Sequence, residues 1–179
     1  LISLKFRKNP HSSAESKRLI SMSVIDICAA MEHTYAEPED TFLVKRCLDA
    51  AEDSAQDFLN RNFYADETAL AAARATVPAL RTAARSAYAA AIIAAHAISD
   101  DELREEAELD AQRALDDALL VVAKIQQGIV IKPAIVAACL LITGHLYAHR
   151  EDVVAGVSVA ALPNGAESLL WPSRVGLGI

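Results

Sequence analysis

The chain has 179 residues, 53% of them hydrophobic and 23% charged, with a net charge of −7 and only six Gly and six Pro. That length suits a single domain, and the hydrophobic share excludes a chain dominated by disorder. Ala supplies about a fifth of the residues and aromatics 5%, so the composition favours helices over parallel α/β folds and β-sandwiches.

The first 22 residues stand apart. Lys5, Arg7, Lys8, Lys17 and Arg18 against Glu15 give residues 1–20 a net +4, which leaves −11 for the other 159. Pro10 and Ser12-Ser13 interrupt any helical period, so an extended basic arm is expected, with Leu1, Ile2, Leu4 and Phe6 available to grip a neighbouring subunit. Val24, Ile25, Ile27, Cys28 and Met31 then predict a short helix ending near His33. Glu37-Pro38-Glu39-Asp40 reads as the next helix start: proline suits a first turn, and the carboxylates complement the positive end of the dipole. Behind it Val44, Cys47, Leu48, Ala51, Ala55, Phe58 and Leu59 trace one stripe of a helix expected to reach about Phe63.

Residues 64–98 are rich in Ala, and Pro78 is expected to break a helix or begin one. Leu80, Ala84, Ala87, Ala91 and Ile92 allow a helix after it. Ser99-Asp100-Asp101-Glu102 matches the capping box, in which Ser and Glu satisfy each other's backbone N–H groups. The helix it opens buries Leu103, Ala107, Ala111, Leu115 and Val122, turns Glu105, Glu108, Gln112 and Asp116 outward, and stops near Gly128. A further helix begins at Pro133 and is apolar nearly all round through Leu146, which makes it central to a core or covered by partners. Beyond it come a turn at Pro163-Asn164-Gly165, the apolar Leu169-Leu170-Trp171-Pro172, and a tail in which Val175, Leu177 and Ile179 alternate.

Chemistry is hard to find. Cys28, Cys47 and Cys139 are isolated and odd in number, which opposes a disulfide framework or a zinc knuckle. There is no P-loop, no nucleophile elbow and no Glu-x-x-His pair. His145 and His149 share a helical face, but the segment between them lacks a zincin Glu and no third ligand is identifiable. No catalytic, cofactor-binding or metal-binding residue is therefore assigned. The mean hydropathy of +0.22 is high for so acidic a chain, yet residues 87–98 and 134–143 fall short of the ~20 needed to cross a bilayer. The excess apolar surface is expected to lie between subunits. A net negative chain also opposes non-specific binding of nucleic acid.

Two separated stretches resemble one family. Pro133-Ala134-Ile135-Val136, Leu140-Leu141-Ile142-Thr143-Gly144-His145-Leu146-Tyr147 and His149-Arg150-Glu151 are similar to the last core helix of the head–tail connector (adaptor) proteins of tailed double-stranded DNA bacteriophages. Leu162-Pro163-Asn164-Gly165, the segment 166–171 and Ser173-Arg174-Val175 resemble that family's following turn, apolar segment and ending. Residues 24–31 and 39–62 look like its first two helices. The likeness covers 23–63 and 132–175; the basic arm and the Ala-rich middle depart from it.

The resemblance implies a structural virion protein and no enzyme: a subunit of a ring, usually of twelve copies, under the portal, which extends the DNA channel and links the capsid to a stopper or tail-completion protein. It implies the virion neck as its place, after synthesis in the bacterial host cytoplasm, with genomic DNA passing through without specific binding and no membrane involved. The expected fold is all-α, a small bundle of four to five helices with an extended N-terminal arm and a C-terminal tail. The expected division is a basic arm at 1–22, a helical connector domain at 23–152 and a turn with docking tail at 153–179. Leu169, Leu170, Trp171, Pro172, Arg174, Val175, Leu177 and Ile179 are candidates for docking on the portal or another partner. Glu105, Glu108 and Asp116 are candidates for an acidic channel-facing or solvent-facing surface. A non-enzymatic helical interaction module or regulator that forms a small homo-oligomer stands as the alternative.

Overall fold

A computed structural model describes residues 23–149 and 164–176, and 79% of the described residues are helical. The protein is all-α. The arm at 1–22 and the tail residues Leu177 and Ile179 lie outside the described residues.

The first helix, α1 (Ile27–Thr34), starts later than its apolar residues suggest because the Asp26 carboxylate caps it, accepting from Cys28 N at 3.0 Å. It stops where Tyr35 turns left-handed at φ 51°. A 3₁₀ turn (Pro38–Asp40) then leads into α2 (Thr41–Leu59). That helix ends before the expected Phe63, because Asn60 adopts φ 55° and its N–H closes back on Asp57 O. Asn tolerates this left-handed stop, and its side chain has further work described below.

Helix α5 (Pro133–Ala148) begins at its proline as expected, and α6 (Asn164–Leu170) runs into a 3₁₀ turn (Trp171–Ser173). Four helices and the turn after them make one body. Its core joins Val44, Leu48, Ala51, Ala55 and Leu59 of α2 to Ile135, Ala138, Cys139 and Ile142 of α5, closed by Ile25, Ala30, Ala166 and Leu170. Leu48, Leu59, Ile135 and Leu170 are the largest apolar side chains fully removed from water. At about 1.5–3 kcal/mol for each such side chain, these contacts carry much of the body's stability.

The middle of the chain is built differently. Helices α3 (Glu67–Ala95) and α4 (Asp101–Gln126) pack along each other as a hairpin, and 14 of the 29 residues of α3 are Ala. Three expectations fail here. Leu103, expected on the buried side of α4, is 56% exposed because it lies about 80° round the helix from the seam residue Ala111. Pro78 neither breaks α3 nor begins it; it sits on the exposed side of a continuous helix, where water can satisfy the carbonyl that a proline leaves unbonded. Ser99 is not the cap of α4. The Asp100 carboxylate takes that role, accepting from Leu103 N at 3.0 Å, which moves the helix start by one residue.

The hairpin meets the body at its base. There β1 (Phe63–Tyr64) and β2 (Ile129–Val130) form a two-residue parallel pair, with Ile129 N donating to Asn62 O at 3.0 Å and Ile131 N to Tyr64 O at 2.9 Å. Lys124 reaches Asp57 at 2.7 Å, and Arg61 Nε donates to Gln127 O at 2.6 Å. Gly128 is required at this junction, since a Cβ there would lie 2.4 Å from the Tyr64 ring. Gly128→Ala should therefore cost about 1–3 kcal/mol in urea unfolding, and much less in a Tyr64→Ala background.

Candidate functional site

The C-terminal residues named as docking candidates divide sharply in the structure. Leu170 is fully buried in the body and Leu169 packs against its core, so Leu170 is a core residue and not a docking one. The helix α6 hides these side chains because its apolar residues are taken up by α5 and α2. Trp171 stays half-exposed, at 50%, and Pro172 is exposed beside it.

Backbone contacts fix the following residues to the end of α2. Val175 N donates to Leu59 O at 3.2 Å, and Asn60 Nδ2 donates to Val175 O at 3.1 Å. Arg61 Nη1 donates to Ser173 O at 3.1 Å. The left-handed Asn60 thus stops α2 and clasps the returning chain at once. Arg174 lies with its guanidinium 4.8 Å from the Phe58 ring centre and 5.5 Å from that of Trp171. The two rings are themselves 6.2 Å apart. Arg174 Nε is buried without a hydrogen-bond partner, so the aromatic faces supply the stabilisation its position loses. Of the candidates, Trp171, Pro172 and Arg174 form a surface, and Val175 anchors it through its backbone.

Glu105, Glu108 and Asp116 do share one flank of α4. Glu108 pairs with His96 at 3.2 Å, Asp116 accepts from Gln112 at 3.0 Å, and Glu105 is exposed. Along the same flank run Arg74 and Arg81 of α3, which donate to Gln126 and, from Arg74, to Gly128 O at 3.2 Å. An open cleft lined by Arg74, Val77, Pro78, Arg81 and Gln126 lies between them. Its guanidinium groups are already engaged by protein oxygens, which leaves little for an anion.

His145 and His149 stack with ring centres 4.5 Å apart, both exposed, and a ring nitrogen of His149 lies 3.0 Å from His145 O. Among the described residues no group of three or more His, Cys, Asp or Glu is placed to hold a metal ion, and no helix is long and apolar enough to cross a membrane.

Glu52 escaped the sequence reading. Only 2% exposed, its carboxylate accepts from Ser23 Oγ at 2.6 Å, Ile25 N at 2.9 Å and Val24 N at 3.0 Å. It fastens the start of the body to α2. The signal was available, because position 52 lies on the same helical face as Leu48, Ala55 and Leu59. Cys139 stands nearby in the core. Burial first, and then the Glu52 charge, push its thiol from 9.0 up to about 12. The sign follows directly: the folded state holds the proton, so this contribution is intact below pH 9 and is lost as pH rises toward 12. In the native protein at pH 8, Cys28 should react with a thiol reagent while Cys139 reacts only on unfolding. A Cys139→Ala variant should lose the steeper part of the alkaline fall in stability.

The residues define an all-α protein with a helical body and a long Ala-rich hairpin. Comparison with protein-family models, with curated proteins and with solved structures returns no significant match in any of the three.

Proposed function

We propose that the protein is a head–tail connector subunit of a tailed phage, a structural and non-catalytic virion component. One observation carries this reading. The two stretches that resemble connector proteins lie about 70 residues apart in sequence, yet together they supply the whole buried core of the body. The segment that departs from the family adds no buried residue to that core, although Ile129 and Ile131 at its end pack against it, and its two long helices are set apart as the hairpin. A chance likeness of two short stretches would carry no such expectation.

On this reading the protein forms a ring, of twelve copies in the family's usual pattern, that binds the portal on one side and a stopper or tail-completion protein on the other. DNA passes through it, and the neck of the virion is where it resides. The exposed Trp171 and Pro172, held rigid by Arg174 on Phe58, offer an apolar anchor of the kind that dominates protein interfaces. Mass photometry of the protein alone and mixed with the portal ring of the phage that carries it tests the reading. A stoichiometric collar on the portal is expected, weakened at least tenfold by Trp171→Ala. A fixed dimer or tetramer that ignores the portal would overturn it in favour of a helical interaction module.

A further inference from the structure

The chain enters the body at a fixed point. Glu52 accepts from Ser23 Oγ, Val24 N and Ile25 N, so the residues that follow position 22 are held against the middle of α2. At that point a groove opens between the start of α1 and the flank of α2. Its volume is about 250 Å³, and Ser23, Ile25, Asp26, Ile27, Lys45 and Leu48 line it. The walls are largely apolar. Lys45 is already tied to Asp49 at 2.8 Å, so the groove offers no free cation.

The groove has a direction. Residues 52, 48 and 45 step back along α2 from the Ser23 anchor towards its first turn, where Phe42 is 74% exposed. Tyr35, 93% exposed, stands where α1 ends, in the same short connection between the two helices. Glu37 and Glu39 are exposed there, and neither carboxylate has a hydrogen-bond or ion-pair partner among the described residues. Arg46, one turn beyond Phe42, does not offset both. The groove thus leads from the fixed entry of the chain to a turn that combines exposed aromatic rings with unpaired negative charge.

The sequence before Ser23 matches that path. It reads Lys17-Arg18-Leu19-Ile20, two cations followed by two branched aliphatic residues. Ile20 is three residues from Ser23, within ~11 Å of it, and Lys17 is six residues away, within ~21 Å. The stretch of α2 from Glu52 back to Phe42 spans ~15 Å. Apolar and then cationic along the chain is therefore the order of the surface met on leaving Ser23: apolar groove, then acidic turn. We infer that residues 17–20 seat on the body of their own chain: Leu19 and Ile20 fill the groove between α1 and α2, and Lys17 and Arg18 meet Glu37 and Glu39 at the turn beyond it. Burial of the two aliphatic side chains drives the contact, and the exposed ion pairs set its register. The same copy is favoured over a second one because a tether of a few residues makes the contact intramolecular, at an effective concentration on the order of mM. Helix α1, with eight residues, is too short to be stable by itself, and this strap covers it on the side that α2 and α5 leave open. The inference is independent of the connector reading.

Carbodiimide joins a lysine amine to a carboxylate in contact with it, and it supplies the test on the full chain. An equal mixture of ordinary and isotope-labelled protein, treated and then digested, should yield Lys17 linked to Glu37 or Glu39, with both peptides carrying the same label. The yield should fall as salt is raised, as it does for an exposed ion pair. Ile20→Asp should lower it about tenfold and Ile20→Val should retain it, because the groove selects an aliphatic side chain. Circular dichroism verifies that each variant keeps its helix content. Links chiefly between differently labelled peptides would assign the segment to a second copy. Equal linkage of Lys17 to the acids of α4, no link to either glutamate, or a yield indifferent to Ile20→Asp would show that the groove does not seat it. Each of these results overturns the inference.

Discussion

Glu52→Ala should lower the unfolding free energy by roughly 2–4 kcal/mol, a large share of what a domain of this size possesses. The carboxylate is the common acceptor for Ser23 Oγ, Val24 N and Ile25 N, and nothing else in the described residues is placed to receive the two amides. Truncation leaves those donors unsatisfied at a buried position, the costly half of the hydrogen-bond asymmetry. Glu52→Gln should rescue little. Oε1 serves Ser23 and Ile25 while Oε2 serves Val24, so either orientation of the amide sets its NH₂ against a donor. Urea unfolding supplies the magnitude, and amide exchange supplies the location: protection at Val24 and Ile25 should fall before that of α5. A change under 1 kcal/mol for Glu52→Ala would mean that water replaces the carboxylate without strain. Removal of the charge should also let the Cys139 thiol titrate lower, though still above its ordinary value, because burial is the larger cause of its rise.

The body was legible where a helical stripe met a core. Val44, Leu48, Ala51, Ala55 and Leu59 were read as one face and are all buried, and Pro133 opens α5 as its fixed φ predicts. Helix ends were less legible, because they are decided by single side chains. Asp26, Asn60 and Asp100 each set a boundary that periodicity alone places two to four residues away or assigns to a neighbour. The parallel pair of β1 and β2 left no trace in the sequence, since two residues have no period to show. Glu52 was missed for a different reason: its place in the apolar stripe marks it as buried, but the donors that let a carboxylate stay there lie nearly thirty residues away in sequence.

The candidate surfaces followed the same pattern. An apolar C-terminal run was visible, but which of its members would be consumed by the fold depended on α6 and on the clasp at Asn60, neither of which the sequence announced. Leu170 went inward and Trp171 stayed out, one residue later, because the helix ends between them. On the hairpin, Glu105, Glu108 and Asp116 were recognised as a face, whereas the arginines at 74, 81 and 85 were not. Their spacing of seven and four is as regular as that of the acids.

Heating should unfold the protein in two steps, the lower belonging to the hairpin. Helices α3 and α4 share no buried residue with the body's core, and their own seam is narrow: Leu70, Val77, Ala95, Ala111 and Val122 are its buried apolar members. Ala in that seam buries little area, so a hairpin of 55 helical residues rests on few large contacts. Calorimetry should show a first transition of roughly 40 kcal/mol, the enthalpy expected for a segment this long, followed by that of the body. Replacing residues 67–126 with a short Gly-Ser linker should delete the first transition and preserve the second. The linker has little to span, because Tyr64 and Val130 are strand neighbours. A single transition for the intact chain, or an unfolded excised body, would mean that the base contacts at Lys124, Arg61 and Gly128 couple the two parts.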